Sequence, residues 1–172
     1  MFNIGDALYK QEKYEEAIDQ FNNLADYELS KEEKAKIYHN LGNSLYLAGK
    51  PEEAAEILEK VVQMQPNYAD AHNNLGNIYK AINDNSLAID HYKRALQLNP
   101  SLFESHMGLG GIFLYRMGRT TSAEHYYREA LRIKPENIEA SAGIANAKRI
   151  QGDLDGALDV IQELQCTYPE AH

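Results

Sequence analysis

In residues 69–80 small or apolar side chains fall at Ala71, Leu75, Gly76 and Tyr79, and in residues 86–98 at Ala88, Ile89, Tyr92, Ala95 and Leu96. Both sets keep the i, i+3, i+4 rhythm of one buried helix face. Asn83, Asp84 and Asn85 lie between them, residue types that accept left-handed and capping conformations. Pro100 lacks the amide hydrogen that a helix interior needs, so it stops the second stretch and opens the next turn. The spacing predicts an antiparallel pair of helices. At roughly 13 residues and ~1.5 Å per residue, each runs near ~20 Å, or about three to four turns of mutual contact.

The same pattern returns along the chain. Gly42, Gly76 and Gly110 are 34 residues apart, Gly5 lies 37 before Gly42, and Ala145 follows Gly110 by 35. Ala17, Ala54, Ala88, Ala123 and Ala157 keep step at intervals of 37, 34, 35 and 34, while Pro66, Pro100, Pro135 and Pro169 close successive units. Columns that stay in phase mean one short unit stacked about five times, each covered by the next. The expected fold is all-α, a solenoid of about five antiparallel helix pairs forming a single array over 1–172, with units near 1–34, 35–68, 69–102, 103–137 and 138–172. Gly76 predicts a close approach of the first helix to the second where Ala88 sits. Phe21, Tyr92 and Tyr127, with Leu58 and Ile161 in the same register, are expected to fill the space between successive hairpins.

Departures from the period carry their own expectations. The first unit lacks a closing Pro, and its extra residues should lengthen the turn through Tyr27, while Ser30-Lys31-Glu32-Glu33 offers a capping box to the next helix. One residue is inserted in the turn near Met117 and Gly118. The first residues already lie inside a helical pattern with no cap ahead, which is consistent with a piece cut from a longer protein. The last unit ends at Pro169 to His172 without a polar solvating helix, so self-association through that end into a homo-oligomer is expected.

These columns resemble the tetratricopeptide repeat, with its small, small, aromatic and proline signature. Asn40-Leu41-Gly42 with Leu45, Ala54 and Pro66 carry the resemblance, as do Asn74-Leu75-Gly76 with Tyr79, Ala88, Ala95 and Pro100. Leu109-Gly110 with Phe113, Ala123, Ala130 and Pro135 follow suit, although Tyr38, His72, His106 and Ser141 stand where the family often has Trp. The resemblance implies a right-handed superhelix whose first helices line a concave groove. One turn either side of the core stripe, that groove would be faced by His39, Asn43 and Tyr46, then Asn73, Asn77 and Lys80, then Met107, Gly111 and Leu114, then Ala142, Asn146 and Arg149. Each Asn carries donors and an acceptor, so an Asn-rich floor can hold the backbone of an extended peptide without demanding a sequence. Asn40 and Asn74 are also similar to the asparagine ladder of O-linked N-acetylglucosamine transferases, which Gly108 and Gly143 break. Asn43 and Asn74 fall in register for the clamp by which some family members grip a C-terminal carboxylate. His39, Glu104 and Gly108 stand where its cations should be, so the clamp is rejected.

Charge narrows the partners further. With 26 acidic against 17 basic residues the net charge is −9, which disfavours nucleic-acid phosphates and anionic membranes. Asp70, Glu104 and Glu139 would repel a carboxylate, favouring neutral or basic peptide. Cys166 is the one cysteine, so no internal disulfide forms, and it should pack as a small apolar residue. No apolar run approaches the roughly 18 residues a bilayer span needs, and the first ten residues show no basic leader; the chain reads as cytoplasmic.

Catalytic chemistry was sought in the same way. Histidines stand at 39, 72, 91, 106, 125 and 172, no two of them three or four apart as a helical metal pair requires, and His72 and His106 recur at unit spacing as packing residues would. Gly108-Leu109-Gly110-Gly111 has no following Lys-Ser or Lys-Thr, so it is helix interior and no phosphate cradle. Glu52-Glu53, and Asp153 with Asp155, sit at the starts of second helices, where open amides favour them as caps. No enzyme activity, cofactor or metal is expected. The expected function is a protein-interaction scaffold binding an extended peptide or partner helix through His39, Asn40, Asn43, Tyr46, Asn73, Asn74, Asn77, Lys80, Met107 and Arg149. The alternatives are an accessory substrate-binding region of a larger enzyme such as a glycosyltransferase, or a self-assembling structural array.

Overall fold

A computed structural model describes residues 2–25 and 27–167, with side chains from Gly5 to Leu24 and from Tyr27 to Glu163. Among these residues the structure is helical, without strands: α1 (Phe2–Lys10), α2 (Tyr14–Ala25), α3 (Lys31–Leu47), α4 (Pro51–Met64), α5 (Ala69–Ala81), α6 (Asn85–Leu98), α7 (Phe103–Gly111), a π-helical turn (Ile112–Arg116), α8 (Thr120–Ile133), α9 (Ile138–Gln151) and α10 (Leu154–Thr167). Consecutive helices pair as hairpins. Contacts group the chain into two compact units, 1–98 with three hairpins and 99–172 with two. Pro169 and the side chain of Cys166 lie outside the described residues.

Helix starts follow the local chemistry. Ser30 caps α3: its Oγ accepts from Glu33 N–H at 3.2 Å, and Glu33 Oε2 accepts from Ser30 N–H at 3.0 Å. The Ser30 hydroxyl, donating to Glu33 Oε2 at 2.7 Å, and then the Ser30 N–H hold the Glu33 carboxyl below the usual carboxylate range. The cap also decides where the extra residues of the first unit go. Lys31 lies 11 residues before Gly42, whereas Ala69 lies seven before Gly76, so α3 starts a turn early and the added length is mostly helix. Asp153 caps α10, its Oδ1 accepting from Gly156 N–H at 2.9 Å while Oδ2 meets Lys148 Nζ at 2.6 Å.

First helices end on a shared device. Glu12, Gly49, Asn83, Gly118 and Gly152 all adopt positive φ, at 60°, 79°, 64°, 63° and 85°. A left-handed residue reverses the chain so that the second helix folds back on the first. Glu12 is the costly member, because its Cβ crowds the neighbouring carbonyl in that conformation. Glu12→Gly will therefore raise the unfolding free energy by about 1 kcal/mol, the relief of left-handed strain outweighing the extra freedom glycine gives the unfolded chain. Urea unfolding measures it, and an unchanged midpoint would contradict it.

The inserted residue of the fourth hairpin sits in the helix instead of the turn. Gly110 precedes its left-handed Gly118 by eight residues, where Gly76 precedes Asn83 by seven. Met117 N–H donates to Ile112 O at 3.2 Å, an i to i−5 bond, so one wider turn absorbs the residue and Gly118 keeps its place.

The glycine column packs differently from expectation. A Cβ built on Gly76 would lie 2.6 Å from Tyr92 Cδ1; the tight contact is the Tyr92 ring, four residues beyond Ala88. Gly5 meets Phe21 in the same way at 2.6 Å, Gly42 meets Leu58 at 2.7 Å, and Gly110 meets Tyr127 at 2.8 Å. Each large side chain thus lies across the glycine of its own hairpin. Tyr127 is also pressed by Gly143 of the next one, at 2.5 Å. Phe21, Leu58, Tyr92 and Tyr127 are buried, but Ile161 is 42% exposed, a correction to its expected place in the core.

Candidate functional site

In the unit 1–98, the successive first helices α3 and α5 carry most of the residues expected to face a partner, and the structure joins several into one hydrogen-bonded chain. Asn74 Nδ2 donates to Asn43 Oδ1 at 2.7 Å and approaches His39 Nε2 at 3.2 Å, while Asn74 Oδ1 accepts from Asn73 Nδ2 at 3.2 Å. Helix register explains the meeting: the side chains project from neighbouring first helices, 31 and 35 residues apart in sequence. His39 is held from the other side by Tyr68, with ring centroids 4.8 Å apart and planes at 26°. Burial, the largest influence, pushes the His39 imidazole below its usual range, against the opposing effects of Asn40 and Asp70.

A second anchor lies one turn further along. Tyr92, fully buried beneath Gly76, sends its hydroxyl to Asn77 Oδ1 at 2.6 Å, and burial raises its phenol well above the ordinary tyrosine range. Asn43 and Asn77 occupy the same register 34 residues apart, and the oxygen of each carboxamide is tied to the protein. Their Nδ2 groups have no hydrogen-bond partner among the described residues and are not buried. The result is a pair of oriented N–H donors.

The other expected residues divide. Asn40 is spent inside the fold, its Nδ2 donating to Asp6 Oδ1 of α1 at 2.8 Å. Asn73 is buried, Tyr46 is half-buried, and Lys80 is exposed near the end of α5. Met107, half-buried on α7, and Arg149, exposed on α9, belong to the unit 99–172, where Arg149 Nη2 donates to Asn146 Oδ1 at 3.3 Å. In that unit Glu104, read as a repelling carboxylate, is paired with Lys134 at 3.3 Å.

One cluster escaped sequence reasoning. His72 Nε2 lies 3.2 Å from Pro66 O and its Nδ1 3.0 Å from His91 Nδ1; His91 Nε2 lies 3.2 Å from Glu59 Oε1, which also accepts from the Tyr79 hydroxyl at 3.2 Å. Burial first, and then the Glu59 charge, push the Tyr79 phenol up to about 12. The network ties α4, α5 and α6 together. Its signal was the six-residue step from Pro66 to His72, repeated from Pro100 to His106, whose Nε2 lies 3.0 Å from Pro100 O. No group of three or more His, Cys, Asp or Glu side chains among the described residues is arranged to hold a metal ion. None of the described helices is long and apolar enough to cross a membrane.

Comparison with known proteins agrees with this architecture. A tetratricopeptide repeat model matches residues 1–67 and 33–101, and a second one matches 109–171. No curated protein sequence matches the chain. Among solved structures, a crystal structure of MamA is 26% identical with a TM-score of 0.85, covering 94% of this chain and 92% of that one. Another MamA crystal structure is 24% identical with a TM-score of 0.84, over 98% and 90%. A MamA fragment from Desulfovibrio magneticus RS-1 has a TM-score of 0.86 at 17% identity, over 99% and 94%, a likeness of fold alone. The helical hairpins, the glycine and alanine columns and the matched repeat models together give one conclusion: the chain belongs to the tetratricopeptide repeat family of protein-interaction scaffolds.

Proposed function

We propose that the first-helix face of unit 1–98 binds an extended, uncharged or basic peptide segment of a partner protein through its backbone carbonyls. One observation carries this reading: Asn43 and Asn77 repeat in register, each with its oxygen fastened internally and its NH2 group left to solvent. Donors held in place lose little freedom when a carbonyl arrives, so their hydrogen bonds are not offset by ordering. His39, Tyr46 and Lys80 flank the pair on the same helices. Asp70, exposed at the start of α5, disfavours acidic segments.

A displayed library of unstructured peptides, selected on the protein, supplies uncharged binders for the test. Asn43→Asp with Asn77→Asp keeps an oxygen for Asn74 and for the Tyr92 hydroxyl but replaces both outward donors by acceptors. Affinity for the selected peptides will fall about tenfold or more, the scale of two lost hydrogen bonds facing like dipoles, with helicity by circular dichroism unchanged. Asn74→Ala with Asn77→Ala, which releases the Asn43 carboxamide and removes that of Asn77, will weaken binding in the same direction. Wild-type affinity in the double Asp variant would remove the site.

A further inference from the structure

Resting on that reading, we infer that the protonation state of His39 sets which group Asn43 offers to a partner, an N–H donor when the imidazole is neutral and a carbonyl acceptor when it is protonated. Asn74 Nδ2 has two hydrogens, one directed at Asn43 Oδ1 and the other at His39 Nε2, 3.2 Å away. That second bond exists only if Nε2 carries a lone pair, so His39 must be neutral with its proton on Nδ1. Neutral His39 thereby fixes Asn74, Asn74 fixes Asn43, and the Asn43 NH2 group faces solvent.

Adding a proton at Nε2 turns the acceptor into a donor opposite another donor. The arrangement recovers by half-turns of two carboxamides. Asn74 presents Oδ1 to the imidazolium, and that oxygen then faces Asn43 Oδ1, so Asn43 turns as well and donates its Nδ2 inward. Its Oδ1 is left outward, where it repels a peptide carbonyl and accepts from a peptide N–H. The Asn73 Nδ2 bond to Asn74 Oδ1 is given up in the exchange.

The surroundings fit a group poised to titrate. His39 is faced by Tyr68 from the turn before α5, by Asp70 and Asn74 from α5, and by Asn40 from its own helix, itself tied to Asp6 of α1. Burial, the largest influence, opposes the imidazolium, while Asn40 and Asp70 favour it. The proton therefore arrives below the ordinary histidine range, and the site is in its donor form at neutral pH. Asn77 has no such partner, since its oxygen is held by the Tyr92 hydroxyl, so the gate acts on Asn43 alone.

The test uses a selected peptide without Asp, Glu or His, so that its own charge is constant. Wild-type affinity will fall about tenfold between about pH 7.5 and the lower pH at which the 15N spectrum shows the His39 ring protonated, as one donor becomes a repelling acceptor. His39→Gln, whose Oε1 can accept from Asn74 at either pH, will bind equally at the two pH values, whatever its level at about pH 7.5. Circular dichroism at both pH values confirms that the variants remain folded. A flat wild-type profile, or the same fall in His39→Gln, would overturn the gate. If Asn43→Asp with Asn77→Asp leaves binding intact at about pH 7.5, the peptide reading itself is lost and the gate is judged without ligand. The 15N spectrum of the His39 ring at that pH must then show Nε2 unprotonated, with the Asn43 side-chain amide shifting as His39 titrates; a ring protonated at Nε2, or an Asn43 amide that ignores the titration, contradicts it.

Discussion

Replacing Gly76 by leucine will destabilise the protein by about 2–3 kcal/mol, the upper part of the usual cost of overpacking. A Cβ at this position would already sit 2.6 Å from Tyr92 Cδ1 and Cε1, and Tyr92 is fully buried with its hydroxyl pinned to Asn77. Helix propensity works the other way, since any residue better than glycine gains up to about 1 kcal/mol in a helix interior. Steric conflict with a fixed ring is the larger effect, so the sum is a loss. The contest can be inverted: in a Tyr92→Ala background the ring is gone, and Gly76→Ala will stabilise by about 1 kcal/mol. Urea unfolding of the four proteins measures both signs. A neutral Gly76→Leu, or a Gly76→Ala that destabilises the Tyr92→Ala protein, would show that the ring is not what the glycine accommodates.

The second large effect belongs to Tyr127. Its ring is pressed by Gly110 on one side and Gly143 on the other, with built Cβ atoms at 2.8 and 2.5 Å. Neither neighbour has a side chain that could swing in to fill a vacated slot. Tyr127→Ala should therefore fall in the full range for lost aromatic cores, about 3–5 kcal/mol. The damage will be local. Hydrogen exchange will show α7, α8 and α9 losing protection most, because the glycines pressed against Tyr127 lie on α7 and α9. A loss below about 1 kcal/mol, or a uniform loss of protection, would contradict the slot.

The hairpins and the repeat period were legible because helix periodicity and turn residues are local properties, written within one unit and copied along the chain. What a column cannot state is which atom sits opposite it. Gly76 was readable as a place of close approach, but the choice between Ala88 and Tyr92 depends on how far the second helix slides along the first. Likewise the extra residue before Gly118 was visible as a count, while its placement in a π-helical turn depends on Gly118 and the other left-handed residues staying in register. Glu12 hid the first member of that series, since only the backbone angle reveals it.

The site was half legible. Helix geometry placed Asn43, Asn73, Asn74 and Asn77 on successive first helices, and all four are there. Their roles differ because hydrogen bonds are directional. Asn40 is consumed by Asp6 and Asn74 is wholly engaged, while the Nδ2 groups of Asn43 and Asn77 have no hydrogen-bond partner among the described residues. His39 read as a flanking residue, and directionality adds what its position does not state, an Nε2 that lies 3.2 Å from Asn74 Nδ2. The unit-spaced histidines read as packing, and His72 and His106 do meet the closing-proline carbonyls, but the approach of His91 and Glu59 to His72 joins three helices and left no local trace.

If two asparagine donors on the first helices of unit 1–98 capture partner backbone, their own signals must report it. The most direct measurement follows side-chain amide signals in 1H–15N spectra while a selected uncharged peptide is added. The carboxamides of Asn43 and Asn77 will shift most, together with backbone amides of α3 and α5. Shifts confined to the second helices α4 and α6, with both carboxamides unmoved at saturation, would contradict it.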